Sequence, residues 1–252
     1  MRRIPLTHDW TVAPKRGLFD GIGGDPTPDE RVSLPHDAML GFERSADAPS
    51  GSHGAYFPGG AVEYTRALEL DPGADERVHV LVFDGVYRDA MVFVNDHFAA
   101  QRPSGYSRFP VRLDPFLRDD APNVIRVEAR AHRDSRWYSG LGIHRNVALA
   151  TGPLVHLALD GIRVTTPDLD ETGALVQVDA TVVNDPLRTA TVVVAVEIEG
   201  PDGRVVARGR APLTLLPGES GTHRERQIFE ELPQGFFGKT TAERQTDRKS
   251  VV

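Results

Sequence analysis

The apolar residues of this chain fall in short runs, many with a two-residue period, and 24 glycines and 19 prolines punctuate them. No stretch holds the 3.6-residue period of a long amphipathic helix, so the apolar surface has to be buried between sheets. Val78-His79-Val80-Leu81-Val82-Phe83 is nearly continuous and runs into Asp84-Gly85, the pattern of a central core strand followed by a turn. Residues 91–94 and 97–100 flank Asn95-Asp96, residue types that tolerate the positive φ of a tight hairpin turn. In residues 123–130 Ile125, Val127 and Ala129 alternate with Arg126, Glu128 and Arg130. Trp10 with Val12, residues 64–70 and residues 109–113 read as further strands, and Asp114-Pro115-Phe116-Leu117 as a short helix opened by proline. Residues 17–28 read as loop. Many short strands at this spacing imply a sandwich or jelly roll.

A second β-rhythm begins near Pro153. Strands are expected over residues 154–159, 162–164, 176–182, 192–198, 204–210, 211–216 and 223–229, with a hairpin turn at Pro201-Asp202-Gly203. That is the rhythm of an immunoglobulin-like sandwich, here without cysteines to bridge its sheets. Residues 234–252 turn polar and lose periodicity. The last six residues match what a common sequencing adapter encodes, so this tail reads as disordered and either non-native or a natural divergent terminus.

Composition narrows the function. A net charge of −7 argues against a nucleic-acid partner, and no apolar run approaches membrane-spanning length. The start of the chain turns polar before any signal-like segment forms, so a cytoplasmic location is expected. The 9 histidines are scattered without metal-ligand spacing. Gly140-Leu141-Gly142 has no βαβ unit around it for a dinucleotide, and no Gly-x-Ser-x-Gly elbow occurs. No cofactor is therefore expected. Chemistry-bearing residues are densest at Ser-Arg-Trp-Tyr-Ser-Gly-Leu-Gly-Ile-His-Arg-Asn-Val, residues 135–147, which lie between two strand-like runs and read as a long loop. Trp137 and Tyr138 there are either packing residues or ligand contacts. His36 beside Asp37 reads as part of a structural loop that hydrogen-bonds the backbone.

Ser33-Leu34-Pro35-His36-Asp37, Gly59-Gly60 before Tyr64, Phe83-Asp84-Gly85-Val86-Tyr87, Val94-Asn95-Asp96, Gly105-Tyr106, Asn123-Val124-Ile125 and Gly142-Ile143-His144-Arg145 together resemble the N-terminal part of glycoside hydrolase family 2, whose members include β-galactosidases, β-glucuronidases and β-mannosidases. Order and spacing agree over residues 8–155 and more loosely to about residue 230. The resemblance implies an all-β chain: a jelly-roll, galactose-binding-like β-sandwich over 1–153, then an incomplete immunoglobulin-like β-sandwich over 154–233.

The resemblance also implies that the catalytic (β/α)8 barrel is missing, and with it the two glutamates that retaining glycosidases use about 5 Å apart. Glu63, Glu69 and Glu128 sit in strand-like runs with no acid paired in sequence, so no catalytic residue is assigned. In the family an acidic residue just before the Trp-Tyr-Ser-Gly stretch contacts substrate hydroxyls, and Asp134 occupies that position; its alternative role is an ion pair with Arg133, Arg136 or Arg145. Trp137 or Tyr138 offers an apolar face to the sugar ring, the alternative being that at least one of them packs against the barrel. Near Gly59-Gly60, Phe57 and Pro58 stand where some members have an asparagine, which leaves a contact there in doubt. Carbohydrate substrate is the expected partner, by way of the missing barrel, with no nucleic acid and no membrane. Magnesium or sodium, and homo-oligomer formation, belong to the full-length parent. The expected function is the inactive front end of a β-galactosidase-like hydrolase, with a stand-alone carbohydrate-binding module as the alternative.

Overall fold

The computed structural model describes residues 1–15, 29–70, 77–118, 121–132, 137–170, 173–200 and 202–229. The loop expected over 17–28 and the tail over 234–252 lie outside the described residues. The chain divides into two compact bodies, one over Arg2–Gly152 and one beginning at Pro153.

The first body is an antiparallel β-sandwich. Its strands are β1 (Arg2–Pro5), β2 (Trp10–Pro14), β3 (Glu30–Val32), β4 (Gly60–Leu68), β5 (Arg77–Phe83), β6 (Ala90–Val94), β7 (His97–Arg102), β8 (Phe109–Arg112), β9 (Asn123–Ala131) and β10 (Val147–Pro153). One sheet has the order β3-β2-β4-β9-β6-β7 and the other β1-β10-β5-β8, so the apolar run of β5 lies inside its sheet. Two-residue alternation sends Val62, Tyr64 and Leu68 of β4 inward beside Ile125, Val127, Ala129 and Ala131 of β9. Trp10, Phe83, Phe109, Leu81 and Leu113 complete the core. Each such side chain contributes about 1.5–3 kcal/mol on burial, more than an exposed ion pair at about 0–1 kcal/mol, so the inter-sheet core holds this body together. Trp10 keeps its polar edge satisfied by donating Nε1–H to the Leu6 carbonyl at 2.8 Å.

β4 starts at Gly60 rather than Tyr64, directly after Gly59, whose φ of 73° and close approach to the His132 carbonyl exclude a side chain. The expected short helix is a 3-10 turn, Asp114–Phe116. Asn95 and Asp96 turn the β6–β7 hairpin at φ 50° and 67°. Asn95 does more than turn: buried, it donates Nδ2–H to the Phe116 carbonyl and to Asn123 Oδ1, both at 2.7 Å, while its Oδ1 accepts from the Val124 amide at 2.9 Å.

The second body has five described strands: β11 (Val155–Leu169), β12 (Ala174–Asn184), β13 (Ala190–Glu199), β14 (Val205–Leu215) and β15 (Ser220–Phe229). They form a three-stranded sheet, β11-β12-β15, and a two-stranded sheet, β13-β14. This is an immunoglobulin-like arrangement with fewer strands than the seven of a constant-type sandwich. Two expectations need correction. Residues 154–159 and 162–164 belong to one strand, because Asp160 at φ 57° and Gly161 form a bulge that keeps β11 in its ladder. Residues 204–210 and 211–216 also merge into one strand, because β14 has a partner on one side only and an edge strand tolerates Pro212. Buried Asn184 ties the strand ends together, its amide nitrogen 2.9 Å from the Arg188 and Leu216 carbonyls and 3.1 Å from that of Leu215.

Asn95→Gly keeps the turn conformation and removes the buried side-chain bonds. It is expected to cost about 2 kcal/mol in urea denaturation, because the partners are left unsatisfied in the interior. An unchanged midpoint would mean that only the turn conformation matters there.

Candidate functional site

The loop containing Trp137 and Tyr138 is held by a single carboxylate. Asp37 caps the 3-10 turn Ala38–Gly41, accepting from the Met39 amide at 3.0 Å, and the same oxygen accepts from the Leu141 amide at 2.9 Å. Its other oxygen accepts from the Tyr138 hydroxyl at 2.5 Å. Backbone bonds run alongside, from the His36 amide to the Ile143 carbonyl and from the Ala38 amide to the Leu141 carbonyl, both 2.8 Å. On its far side Gly142 exchanges two backbone hydrogen bonds with Tyr87, at 2.7 and 2.8 Å. The loop is therefore strapped between two neighbouring segments.

Glycine is required at two points of this strap. Gly140, at φ 76°, would place a Cβ 2.7 Å from Asp37 Oδ2, and Gly142, at φ 127°, would place one 2.1 Å from the Tyr64 hydroxyl. That hydroxyl takes the Ile143 amide and lies 2.8 Å from His36 Nδ1, so its proton goes to the imidazole. Burial lowers the His36 pKa, which suits the neutral, accepting ring this bond needs. Burial, with the added effect of the Asp37 bond, raises the Tyr138 phenol well above the ordinary tyrosine range.

Tyr138 packs against Phe57 at 5.4 Å between ring centroids, and the Arg44 guanidinium lies 4.8 Å from the Phe57 centroid. Trp137 is 58% exposed and Tyr138 36%. With Met39, Phe57 and Gly59 they line a hollow of about 20 Å³, room for roughly one water and not for a sugar ring. What this body presents is an aromatic ledge. Asp134 lies outside the described residues. Phe57 and Gly59 do converge on the Trp137 loop, although the asparagine is absent. Sequence reading placed Asp37 in a structural loop but missed its grip on Tyr138 and Leu141; the signal was an aspartate at the N-cap position of a short apolar turn.

The structure also brings together two carboxylates that look unpaired along the chain. Glu63 of β4 and Glu128 of β9 are cross-strand partners, at 2.9 and 3.0 Å from the same Arg126 Nη1. Their oxygens are therefore within about 6 Å of each other, near the retaining-glycosidase separation. Their chemistry is wrong for bond cleavage, because the guanidinium fills the space between them and Glu128 also accepts from Lys15 and from Arg130. Burial alone would push the Glu128 carboxyl up, but the hydrogen bonds from Lys15 and Arg130 outweigh it and hold its pKa below the ordinary value. A general acid needs the opposite shift. Among the described residues no group of three or more histidines, aspartates and glutamates is placed to hold a metal ion.

No family model matches the chain. It is 37% identical over 213 residues to a β-galactosidase of Bacteroides ovatus, covering 83% of this chain and 25% of that protein. It is 24% identical over 183 residues to a β-glucuronidase of Formosa agariphila, covering 64% of this chain and 19% of the relative. The crystal structure of a glycosyl hydrolase family 2 member from Bacteroides cellulosilyticus superposes with a TM-score of 0.81 at 26% identity, covering 93% of this chain and 31% of that one. The chain thus spans a quarter or less of the length of these curated relatives.

Two measurements test this geometry. Asp37→Ala is expected to cost about 2–3 kcal/mol of stability and to red-shift the Trp137 emission, read in a Trp10→Phe background, while Asp37→Asn recovers part of both. Glu128→Gln is expected to cost about 2 kcal/mol at pH 7. Because the Glu128 pKa is lowered in the folded state, its contribution is complete above the unfolded value of about 4.3 and is lost as pH falls through the folded one. The gap between wild type and variant should therefore close in acid, and a gap independent of pH would contradict the carboxylate's role.

Proposed function

We propose that this chain, which belongs to glycoside hydrolase family 2, is the non-catalytic β-sandwich part of a β-galactosidase-like enzyme and hydrolyses no glycoside by itself. The observation that carries this reading is the state of the facing acids: Glu63 and Glu128 are bridged by Arg126, and Glu128 is held ionised by Lys15 and Arg130. A retaining mechanism needs one carboxyl free to attack and one protonated to assist departure of the leaving group. Neither role is open to this pair.

In the same reading the strapped loop forms one wall of a pocket whose other walls come from a catalytic domain. Exposed Trp137 offers an apolar face to a sugar ring, Tyr138 stiffens the ledge, and Asp134 accepts hydrogen bonds from sugar hydroxyls. The pyranoside is β-linked, as the relatives' names suggest, with galactose the first candidate.

The exposure of Trp137 favours a second reading, a carbohydrate-binding module that acts alone. The purified chain should release no chromophore above blank from chromogenic β-galactosides or β-glucuronides, and galactose or lactose should give no saturable heat in calorimetric titration. Turnover would overturn the first reading, and saturable heat without turnover would establish the second.

A further inference from the structure

Two histidines sit on either side of Ile143 in the strap, and the closed arrangement suits each only as the neutral ring. The Ile143 amide bonds the Tyr64 hydroxyl, and the Ile143 carbonyl takes the His36 amide at 2.8 Å. The Tyr64 hydroxyl gives its own proton to His36 Nδ1, 2.8 Å away, so that nitrogen has to be bare. Tyr64 is fully buried, and a proton on Nδ1 would set two hydrogens against each other across this bond. On the other side the His144 ring lies against the backbone of Gly85, where a Cβ would stand 3.0 Å from Cε1 and 3.1 Å from Nε2, and it meets the Tyr106 ring edge-on at 6.0 Å. Both its ring nitrogens are buried, and neither makes a hydrogen bond among the described residues. The Gly142 carbonyl beside the ring is already taken by the Tyr87 amide at 2.8 Å. A neutral imidazole has one donor and one acceptor to satisfy and a charged one has two donors, so protonation deepens the deficit.

The charges around the two rings do not reverse this. Glu30 of β3 and Asp37 favour the His36 cation, yet burial outweighs both and lowers its pKa. Around His144 burial is again the largest effect and Arg145 adds to it, against the Gly142 carbonyl and Asp37. The turn that carries Gly85 also brings Asp84, but Arg108 lies 3.4 Å from that carboxylate. The Arg145 guanidinium donates to the Asp84 and Tyr106 carbonyls at 3.5 and 3.1 Å, which keeps a cation beside the imidazole. Tyr87, packed on Tyr106 at 5.4 Å between centroids, adds a phenol and no charge.

We propose that His36 and His144 make the strap an acid-sensitive latch: protonation of the two rings releases residues 141–144 from Tyr64 and Gly85 and frees the aromatic ledge, whatever that ledge binds. Both rings have a lowered pKa in the closed form. Their contribution to closure is therefore complete above the open-chain value of about 6.5 and is lost as pH falls below it toward the closed-form values. A ring that takes its proton only when released raises the opening equilibrium by at most about 30-fold between pH 8 and pH 5, and two such rings by at most about 1000-fold. This window stays above the ordinary carboxylate range of about 4.

Hydrogen exchange of the full 252-residue chain, followed by nuclear magnetic resonance, measures this opening at Leu141, Gly142 and Ile143, whose amides bond Asp37, Tyr87 and Tyr64. Protection factors at these amides, which remove the intrinsic pH dependence of exchange, are expected to fall at least about tenfold from pH 8 to pH 5 and to stay below those of Val127 and Ala129 in β9. His144→Phe fills the same seat without titrating, and His36→Asn offers Tyr64 a carbonyl in place of Nδ1. Each is expected to remove part of the fall, and the double variant nearly all of it. Ring-proton shifts of the wild type give the two pKa values themselves, both expected below about 6.5. Protection that ignores pH, strap amides as protected as those of β9, or a fall that survives the double variant would each overturn the proposal. Ring pKa values at or above about 6.5 would do so without any substitution.

Discussion

One carboxylate orients the aromatic end of the candidate site. Asp37 closes a short turn on one side and takes an amide and a phenol from the aromatic loop on the other, so three hydrogen bonds to a single charge orient a loop that Leu141 and Ile143 anchor in the core. Hydrogen bonds to charged groups are worth about 1.5–3 kcal/mol each, roughly twice a neutral one. The two glycines flanking Leu141 are consequences of this grip, since a side chain at either would collide with the groups that do the holding.

The sandwich beneath supplies the fixed frame. Tyr64 reaches from the core of β4 to the strap through its hydroxyl, so the position of the loop is referred to the best-packed strand pair in the first body. The outer face of that same pair carries Glu63, Arg126, Glu128 and Arg130 as a ladder of alternating charge, which Lys15 joins from the end of β2. Such a ladder stabilises a sheet surface and leaves neither Glu63 nor Glu128 free for glycoside cleavage. The proposed reading of the ledge as a wall of a composite pocket rests on the exposed Trp137 and on these bridged acids.

Most of the fold was legible in the sequence because its signals are local. The apolar run of β5, the Asn95-Asp96 turn and the alternation in β9 each follow from a two-residue period or a turn preference. Strand lengths in the second body were less legible: the bulge at Asp160-Gly161 and the edge position of Pro212 reverse the usual meaning of aspartate, glycine and proline, and only the ladder reveals that. The site was half legible. Trp137 and Tyr138 stood out by composition, whereas the bond between Asp37 and Tyr138 and the meeting of Glu63 with Glu128 depend on which strands pair across more than sixty residues, a contact no local pattern encodes.

The central proposal is that these β-domains shape one side of a sugar site and, among the described residues, bring together no carboxylate pair free to cleave a glycosidic bond. Intact-mass spectrometry after prolonged incubation with a mechanism-based inactivator, such as a 2-deoxy-2-fluoro-β-galactoside with a good leaving group, tests it most directly. The expected spectrum is a single species at the unmodified 27.6 kDa. A stoichiometric glycosyl adduct on Glu63, Glu128 or any other carboxylate of this chain would contradict it.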